Sequence, residues 1–330
     1  MSIVPQPLVS VVTPVYNGEP FLAECIESVL GQTYKKFEYI IVNNCSTDQS
    51  LEIALGYAKK DSRIRIHNNS SFVAVIDNHN IAFRLISIAA KYCKVVSADD
   101  FIFPDCIMRM VEVAEANPSV GIVGSYEIAG SRVRWQGFKY PRSVMPGREI
   151  CRRIFLGSDP AFGFGSPTSI LYRSDIVRNS GEFYPNSSPH ADTSACFKHL
   201  HQSDFGFVYQ LLSYCRIHDE TQSSISKDIN RYSSAELNDI IQYGPFYLST
   251  EELQRVLKKT LNVYYQFLGV NMFRFRGREF WNYHSSRLEE LGHPITIPKL
   301  LKGVFIKFLR EAINPEHAVR KIFRYFTSRF

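Results

Sequence analysis

The 330-residue sequence has no CxxC pair, no Gly-Lys dipeptide, no HExxH and no uncharged apolar run of about 18 residues, and each absence removes a class of protein. Seven cysteines (Cys25, Cys45, Cys93, Cys106, Cys151, Cys196 and Cys215) are scattered and odd in number, which argues against a closed disulfide framework and predicts a reducing cytosol. The opening MSIVPQPLVSVV lacks a charged segment followed by a long apolar one. The expectation is a cytoplasmic chain that is neither secreted by that route nor membrane-spanning. Without a Gly-Lys pair there is no phosphate-wrapping P-loop. In place of GxGxxG after the first apolar run stands Thr13-Pro14-Val15-Tyr16-Asn17-Gly18, which argues against a dinucleotide dehydrogenase. The missing HExxH and unpaired cysteines make a zinc hydrolase a poor fit. There is no internal repeat and no low-complexity segment.

What is present suits a soluble globular protein of about two domains, with 45% hydrophobic and 21% charged residues. The net charge of +6 is unevenly placed. Residues 299–330 hold 8 Lys and Arg against 2 Glu, so the remaining 30 basic residues balance 30 acidic ones.

Leu8 to Val15 is a β-branched run, and Glu19 to Leu30 carries Phe21, Leu22, Cys25, Ile26, Val29 and Leu30 at helical spacing before Gly31. Strands are then expected at Phe37 to Val42, Arg63 to His67 and Lys94 to Ser97, with helices at Asp48 to Lys60, Asp77 to Lys91 and Asp105 to Asn117, the last capped by Asp105. This alternation predicts a mostly parallel, Rossmann-like α/β sheet flanked by helices. Ligands bind such sheets at the carboxyl ends of the strands, so the loops at 13–18, 43–48, 68–80 and 97–101 are expected to line one cleft. From 118 to about 222 the pattern is irregular and predicts short strands and long loops. From Ser233 onward it is mostly helical, at Leu253 to Phe267, Glu279 to Leu291, Lys299 to Ile313 and His317 to Phe326.

Six ordered segments, VSVVTPVYNGEPFLAECIESVLGQTY, IIVNNCSTDQS, NHNIAF, SADDFIFPD, HADTSAC and CRIHDETQSS, together resemble the family-2 glycosyltransferases of the GT-A fold over roughly residues 8–225. The resemblance implies a nucleotide-sugar-binding half at 1–117, an acceptor-side half at 118–225 and a separate helical region at 226–330. It also implies an inverting transfer from a nucleotide diphosphate sugar to a hydroxyl of a glycan or polyprenyl-linked acceptor, set in bacterial surface-polysaccharide assembly.

A nucleotide sugar presents a flat base, a ribose diol and a diphosphate, and needs an apolar face, hydrogen-bonding side chains and charge neutralisation. In the loop beginning at Thr13, Pro14 and Tyr16 can pack on the base, while Asn43 or Asn44 can accept its imide proton or merely form an Asx-turn. Family members more often carry Asp-Asp at that pair, so this chain has two fewer negative charges beside the nucleotide. Asp48 can serve the donor or only cap a helix, and the same choice holds for Asn78 and Asn80.

Ser97-Ala98-Asp99-Asp100 matches the family's DxD metal motif, with Ser97 at its first acidic position. The resemblance thus implies a divalent cation, Mg²⁺ or Mn²⁺, on Asp99, with Asp100 more structural. By the same resemblance His218 of Arg216-Ile217-His218 can reach the metal or the phosphates, and Arg216 can pair with the phosphates. Asp192 in His190-Ala191-Asp192-Thr193 is the expected general base, or a cap ahead of Thr193 to His199, and His190 its neighbour. Gly165-Ser166-Pro167-Thr168 reads as an acceptor-side loop or a plain turn.

In Lys299 to Arg310 apolar and basic residues take opposite helical faces, as they do again in Ala318 to Phe326. Such a pair either lies on an anionic membrane surface, giving peripheral association, or packs on the protein with its basic face in solvent. Nucleic-acid binding is not expected, because no recognised module accompanies the charge. A non-catalytic nucleotide-sugar-binding or scaffold protein is the rival from another class. A nucleotidyltransferase lacks the glycine-rich, lysine-containing loop it would need after the first strand.

Overall fold

The computed structural model describes residues 6–134, 140–158, 163–186, 188, 190–218, 229–274 and 276–313. The chain divides into two compact units, residues 1–225 and 226–330.

In the first unit the alternating run becomes β1 (Leu8–Val15), α1 (Glu19–Leu30), β2 (Phe37–Asn43), α2 (Ser50–Ala58), β3 (Ile64–Asn68), α3 (Val75–Arg84) and β4 (Ala90–Val95). β1 is buried along nearly its whole length, as a strand covered on both faces must be. The apolar positions of α1 resolve into Leu22, Cys25, Ile26 and Val29 packed against the sheet. Each such aliphatic side chain contributes roughly 1.5–3 kcal/mol through burial.

Two boundaries differ from the sequence expectation. α3 stops at Arg84 rather than continuing to Lys91, because tertiary partners take the backbone groups of the next turn. The Ser87 amide donates to Glu38 Oε1 at 2.8 Å, and the Leu85 carbonyl accepts from Arg65. β4 consequently starts at Ala90, four residues earlier than expected. Asp105 does stand before α4 (Cys106–Ala116), but its carboxylate accepts from Thr33 Oγ1 at 2.8 Å and not from the helix amides.

The irregular half holds β5 (Phe101–Ile102), β6 (Val120–Ala129), β7 (Arg132–Arg134), β8 (Val144–Met145), α5 (Gly147–Leu156), β9 (Ile170–Arg173), α6 (Ser174–Arg178), α7 (Ala191–His199) and β10 (Asp204–Cys215). Short strands were expected, yet β6 and β10 run 10 and 12 residues and pair in parallel. Register shifts in β10 interrupt the alternation that would have revealed it. Among the described residues the sheet runs β3-β2-β1-β4-β9-β6-β10-β5, with β7 on β6 and β8 on β10. Its first four strands are parallel, and strand order reverses between β1 and β4, which opens a crevice at their carboxyl ends.

The second unit contains α8 (Tyr232–Tyr243), α9 (Thr250–Met272), α10 (Arg278–Glu290) and α11 (Ile297–Ile313) around Leu237, Tyr264, Tyr265, Leu268, Phe280, Leu288 and Leu300. Ser249 and Glu252 form a reciprocal capping box at the head of α9. α9 and α11 meet backbone to backbone at two glycines. A Cβ on Gly303 would lie 2.5 Å from the Tyr265 carbonyl, and one on Gly269 would lie 2.8 Å from Val304. His284 is a satisfied core histidine between the Tyr264 hydroxyl and the Ile229 carbonyl, its pKa lowered to about 4 by burial. The expected helix at 317–326 lies outside the described residues.

Candidate active site

The four loops converge as expected, but several side chains assigned to the donor are used in building the cleft. β1 extends through Val15, so Thr13 and Pro14 are strand residues. Thr13 is fully buried, donating to the Val96 carbonyl at 2.8 Å and contacting Tyr39 Oη. Pro14 is buried opposite Val42, and the ladder to β4 ends at Val12, so its missing amide falls where a proline is tolerated. Neither side chain faces the cleft. Tyr16, by contrast, is 49% exposed and meets Phe72, 60% exposed, edge to face at 4.8 Å between ring centroids. Phe72 was missed in the sequence, where an isolated aromatic in a polar loop gives no periodic signal.

Asp48 joins two helix heads. Its carboxylate accepts from the Glu19 amide of α1 at 2.9 Å and the Ser50 amide of α2 at 3.0 Å. Partial burial opposes its ionisation, but hydrogen bonds from Ser50 and the Glu19 amide outweigh that and hold its pKa below the ordinary value. The capping reading is therefore the one its geometry supports. Asn17, held at φ 49°, ties the same loops together through Thr47.

Asn43 and Asn44 are both 2% exposed and belong to a floor of carboxamides. Asn43 donates to Asn68 Oδ1 at 2.6 Å, and Asn44 bonds the amide and carbonyl of Val73. Asn69 donates to both Asn44 and Asn78, and its own Oδ1 is a buried acceptor without a partner among the described residues. Asn78 completes the floor under the Val42 carbonyl. Asn80 does something else: its carboxamide brackets the Tyr184 backbone, donating at 2.8 Å and accepting at 3.0 Å. It pins the Tyr184 backbone to α3.

After β4 the character changes from neutral to charged. The Asp99 carboxylate lies 3.1 Å from His218 Nε2, and both side chains are about one-third exposed, at 32% and 28%. Asp100 is buried. Its Oδ1 accepts from the Arg216 amide at 2.9 Å and its Oδ2 from Thr168 Oγ1 at 2.6 Å. Burial and the adjacent Asp99 carboxylate push its pKa well up. The Arg216 guanidinium bonds the Asp99 carbonyl and Glu24 and stacks over Phe21, 4.5 Å from its ring centroid.

Ser97 is hydrogen-bonded through its amide to Thr168 Oγ1 at 3.1 Å. The 165–168 loop is thus neither a bare turn nor a free acceptor loop. Thr168 sits in the short 3-10 turn Pro167–Ser169 and clamps Asp100, while fully buried Lys94 holds the turn by bonding the Thr168 and Ile170 carbonyls. Nothing in the sequence marks Lys94, whose partners lie more than seventy residues away.

Asp192 lies inside the first turn of α7, since the helix starts at Ala191 and His190 takes the cap position. Burial raises its pKa from 3.8 to about 6, against hydrogen bonds from the Thr193 and Asp192 amides. Burial likewise lowers His190 to about 4, which keeps that ring neutral at pH 7. Among the described residues no group of three or more Asp, Glu, His or Cys side chains forms a cage for a metal ion. The oxygen of Asp99 and the nitrogen of His218 are a donor set that fits a divalent cation sharing its shell with phosphate oxygens.

The sheet is mixed rather than mostly parallel as expected: it is parallel through β3-β2-β1-β4 and between β6 and β10, and antiparallel elsewhere among the described residues. With acidic and imidazole groups beyond its central strands, and joined to a helical unit, it defines a GT-A fold of the kind that handles nucleotide sugars. The model for glycosyl transferase family 2 matches residues 10–180, more than half the chain, and the protein belongs to that family of glycosyltransferases. It is 41% identical over 119 residues to the uncharacterized glycosyltransferase EpsJ of Bacillus subtilis, an alignment covering 36% of this chain and 33% of EpsJ. An uncharacterized glycosyltransferase of Rickettsia typhi is 27% identical over 69% of this chain and 70% of its own. The chain thus matches about a third of EpsJ but more than two thirds of the rickettsial relative.

Solved structures share the fold at low identity. TarS 1-349 of S. aureus in complex with UDP-GlcNAc superposes with a TM-score of 0.60 at 18% identity, over 86% of this chain and 80% of TarS. The mannosyltransferase PcManGT of Pyrobaculum calidifontis, in complex with GDP-Man and Mn²⁺, gives 0.55 at 14% identity, over 98% and 85%.

Proposed function

We propose that this protein is an inverting glycosyltransferase that moves a sugar from a nucleoside diphosphate sugar to a hydroxyl of a glycan or lipid-linked glycan. The observation that carries the reading is the Asp99–His218 pair beyond β4, braced by Arg216 and Asp100, in a chain of family 2. Support for the donor class comes from TarS and PcManGT, solved in complex with UDP-GlcNAc and GDP-Man respectively.

In this reading Tyr16 and Phe72 offer the aromatic face for the base, above the carboxamide floor. Asp99 and His218 would hold Mg²⁺ or Mn²⁺, and such a cation, when bound, offsets charge developing on the leaving diphosphate. Asp192 takes the proton from the acceptor hydroxyl as that oxygen attacks the anomeric carbon opposite the diphosphate. Its pKa of about 6 leaves it ionised yet more basic than an ordinary carboxylate at neutral pH. Seven free cysteines support a cytoplasmic setting, and the setting in bacterial surface-polysaccharide assembly rests on the resemblance to family 2 alone.

The test is a thermal-shift screen of UDP, GDP, dTDP and CDP, each with and without Mn²⁺ or Mg²⁺, followed by turnover of the matching nucleotide sugars. Metal-dependent stabilisation by one nucleotide, together with transfer that Asp192→Asn abolishes, is the expected result. Stabilisation without any turnover would favour the non-catalytic binding protein, for which Ser97 in the metal motif is the specific argument.

A further inference from the structure

Asp99 and His218 are 119 positions apart in the chain, and one helix touches the segments that carry both. On its more buried side α1 holds the 97–102 loop. The Cys25 thiol donates to the Ser97 carbonyl at 3.4 Å, and the Ser28 hydroxyl accepts from the Ile102 amide at 3.2 Å. At the head of the helix Gly18 lies so near the loop that a Cβ there would stand 3.5 Å from the Ala98 methyl.

A second side of α1 meets Arg216 and His218. Phe21 and Glu24 are three positions apart and so share one face of the helix. The Phe21 ring centroid is 5.3 Å from that of the His218 imidazole and 4.5 Å from the Arg216 guanidinium carbon. Glu24 accepts from an Nη of the same guanidinium, whose Nε donates to the Asp99 carbonyl at 3.0 Å. Arg216 thus spans from α1 to the backbone of Asp99, with its ring-facing surface, its Nε and one Nη all engaged by protein groups. That is the geometry of a strut, and it differs from the pairing with phosphates that the sequence suggests. The Glu24 side chain is 57% exposed, and an ion pair so open to water contributes little to stability, so its effect is on orientation.

We infer that Phe21 and Glu24 are positioning residues for the Asp99–His218 pair: Glu24 orients Arg216 against the Asp99 backbone, and Phe21 seats the His218 ring opposite the Asp99 carboxylate. The functional meaning of that role rests on the cation proposed for the pair. Two side chains are a small donor set, and a cation gains most from donors that are already in place when it arrives. Partners lying just behind metal ligands commonly change metal affinity by about 10–100-fold. The same helix begins at the end of the loop that carries Tyr16, so the aromatic face proposed for the base and the pair proposed for the cation are tied to one rigid element.

The test is titration of the full chain with Mn²⁺ alone, read by electron paramagnetic resonance, beside the melting temperature of each variant. Phe21→Leu and Glu24→Ala should each weaken Mn²⁺ binding on the order of tenfold. Phe21→Tyr, which keeps the ring, should bind like the wild type, and Glu24→Ala should melt close to the wild-type temperature, which separates positioning from folding. A second readout needs no metal: in a crystal structure of the metal-free Phe21→Leu, Glu24→Ala double variant, His218 should stand outside hydrogen-bond reach of Asp99. The inference is overturned if that contact persists at about its present 3.1 Å, or if both single variants bind Mn²⁺ unchanged. It is equally overturned if Glu24→Ala tightens the binding of UDP or GDP, because Glu24 would then be withholding Arg216 from the phosphates. A wild type that takes up no Mn²⁺, with the contact still lost in the double variant, would remove the cation from the proposed function and leave the positioning role standing.

Discussion

At the carboxyl end of β2 and β3 the carboxamides of Asn43, Asn44, Asn68, Asn69 and Asn78 bond one another and the backbone, whereas beyond β4 the carboxylates of Asp99 and Asp100 crowd together. The first group is neutral and, Asn69 Oδ1 apart, hydrogen-bonded, which is how polar side chains are buried at low cost. The second sets one carboxyl against another at the cost of a raised Asp100 pKa, and Asp192, at the head of α7, keeps a carboxyl in a buried setting. A folded protein keeps such groups where chemistry or ligand charge compensates them. The contrast divides the edge into a hydrogen-bonded scaffold and the acidic cluster to which the proposed chemistry is assigned. Thr168 serves that cluster from outside by supplying a hydroxyl to Asp100, and Lys94 holds Thr168 in place.

The largest effect expected from breaking this contrast is at Asp192. Asp192→Asn should lower transfer by about 10²–10⁴-fold while leaving nucleotide binding intact, as read by turnover and calorimetry. In the wild type, activity should rise with pH through about 6 as the carboxyl loses its proton. Stability runs the other way. The folded pKa lies above 3.8, so between pH 4 and 6 the native state holds the extra proton, and its stability falls as pH climbs through that window. The Asn variant should therefore melt at or above the wild-type temperature at pH 8, and a clear drop in melting temperature would assign Asp192 a structural role instead.

Next in size is Asp99→Ala, which should remove the Mn²⁺ or Mg²⁺ dependence of nucleotide binding. A dependence that survives the substitution places the ligand elsewhere. Thr168→Val removes one of the two hydrogen bonds to a buried carboxyl and should destabilise the protein by about 1–3 kcal/mol in urea unfolding, with metal dependence weakened in parallel. Asn44→Ala should cost a similar amount through the unpaired amide of Val73, yet leave metal dependence unchanged, since the floor is scaffold. Smallest is Phe72→Ala, expected to move stability by less than about 0.5 kcal/mol because the ring is mostly exposed, so any loss of nucleotide affinity reports contact with the base.

The parallel half of the sheet was legible because its signals are local. β-branched runs gave β1 and β2 and six apolar positions at helical spacing gave α1, each nearly to the residue. The ordered motifs placed Asp99, Asp100, Arg216 and His218 at one sheet edge, and the structure brings all four into contact. What the sequence could not express was direction and distance. Thr13 and Pro14 look like loop residues but lie one step inside the strand, and Asn80 looks like a partner of Asn78 but turns to Tyr184, 104 positions away. The lengths of β6 and β10 were hidden for the same reason: their pairing is long-range and irregular in register, so no local period announces it.

The neutral floor under the cleft has one further consequence. A carboxamide has no proton to gain or lose between the acid and alkaline limits of a native protein, so in the proposed donor site Asn43 and Asn44 add no titration of their own to the holding of a base. An aspartate pair would make base binding an acid–base titration superimposed on the catalytic one. In the proposed reaction the floor and the general base are therefore electrically decoupled, and the floor leaves the acid limb of the turnover profile to Asp192.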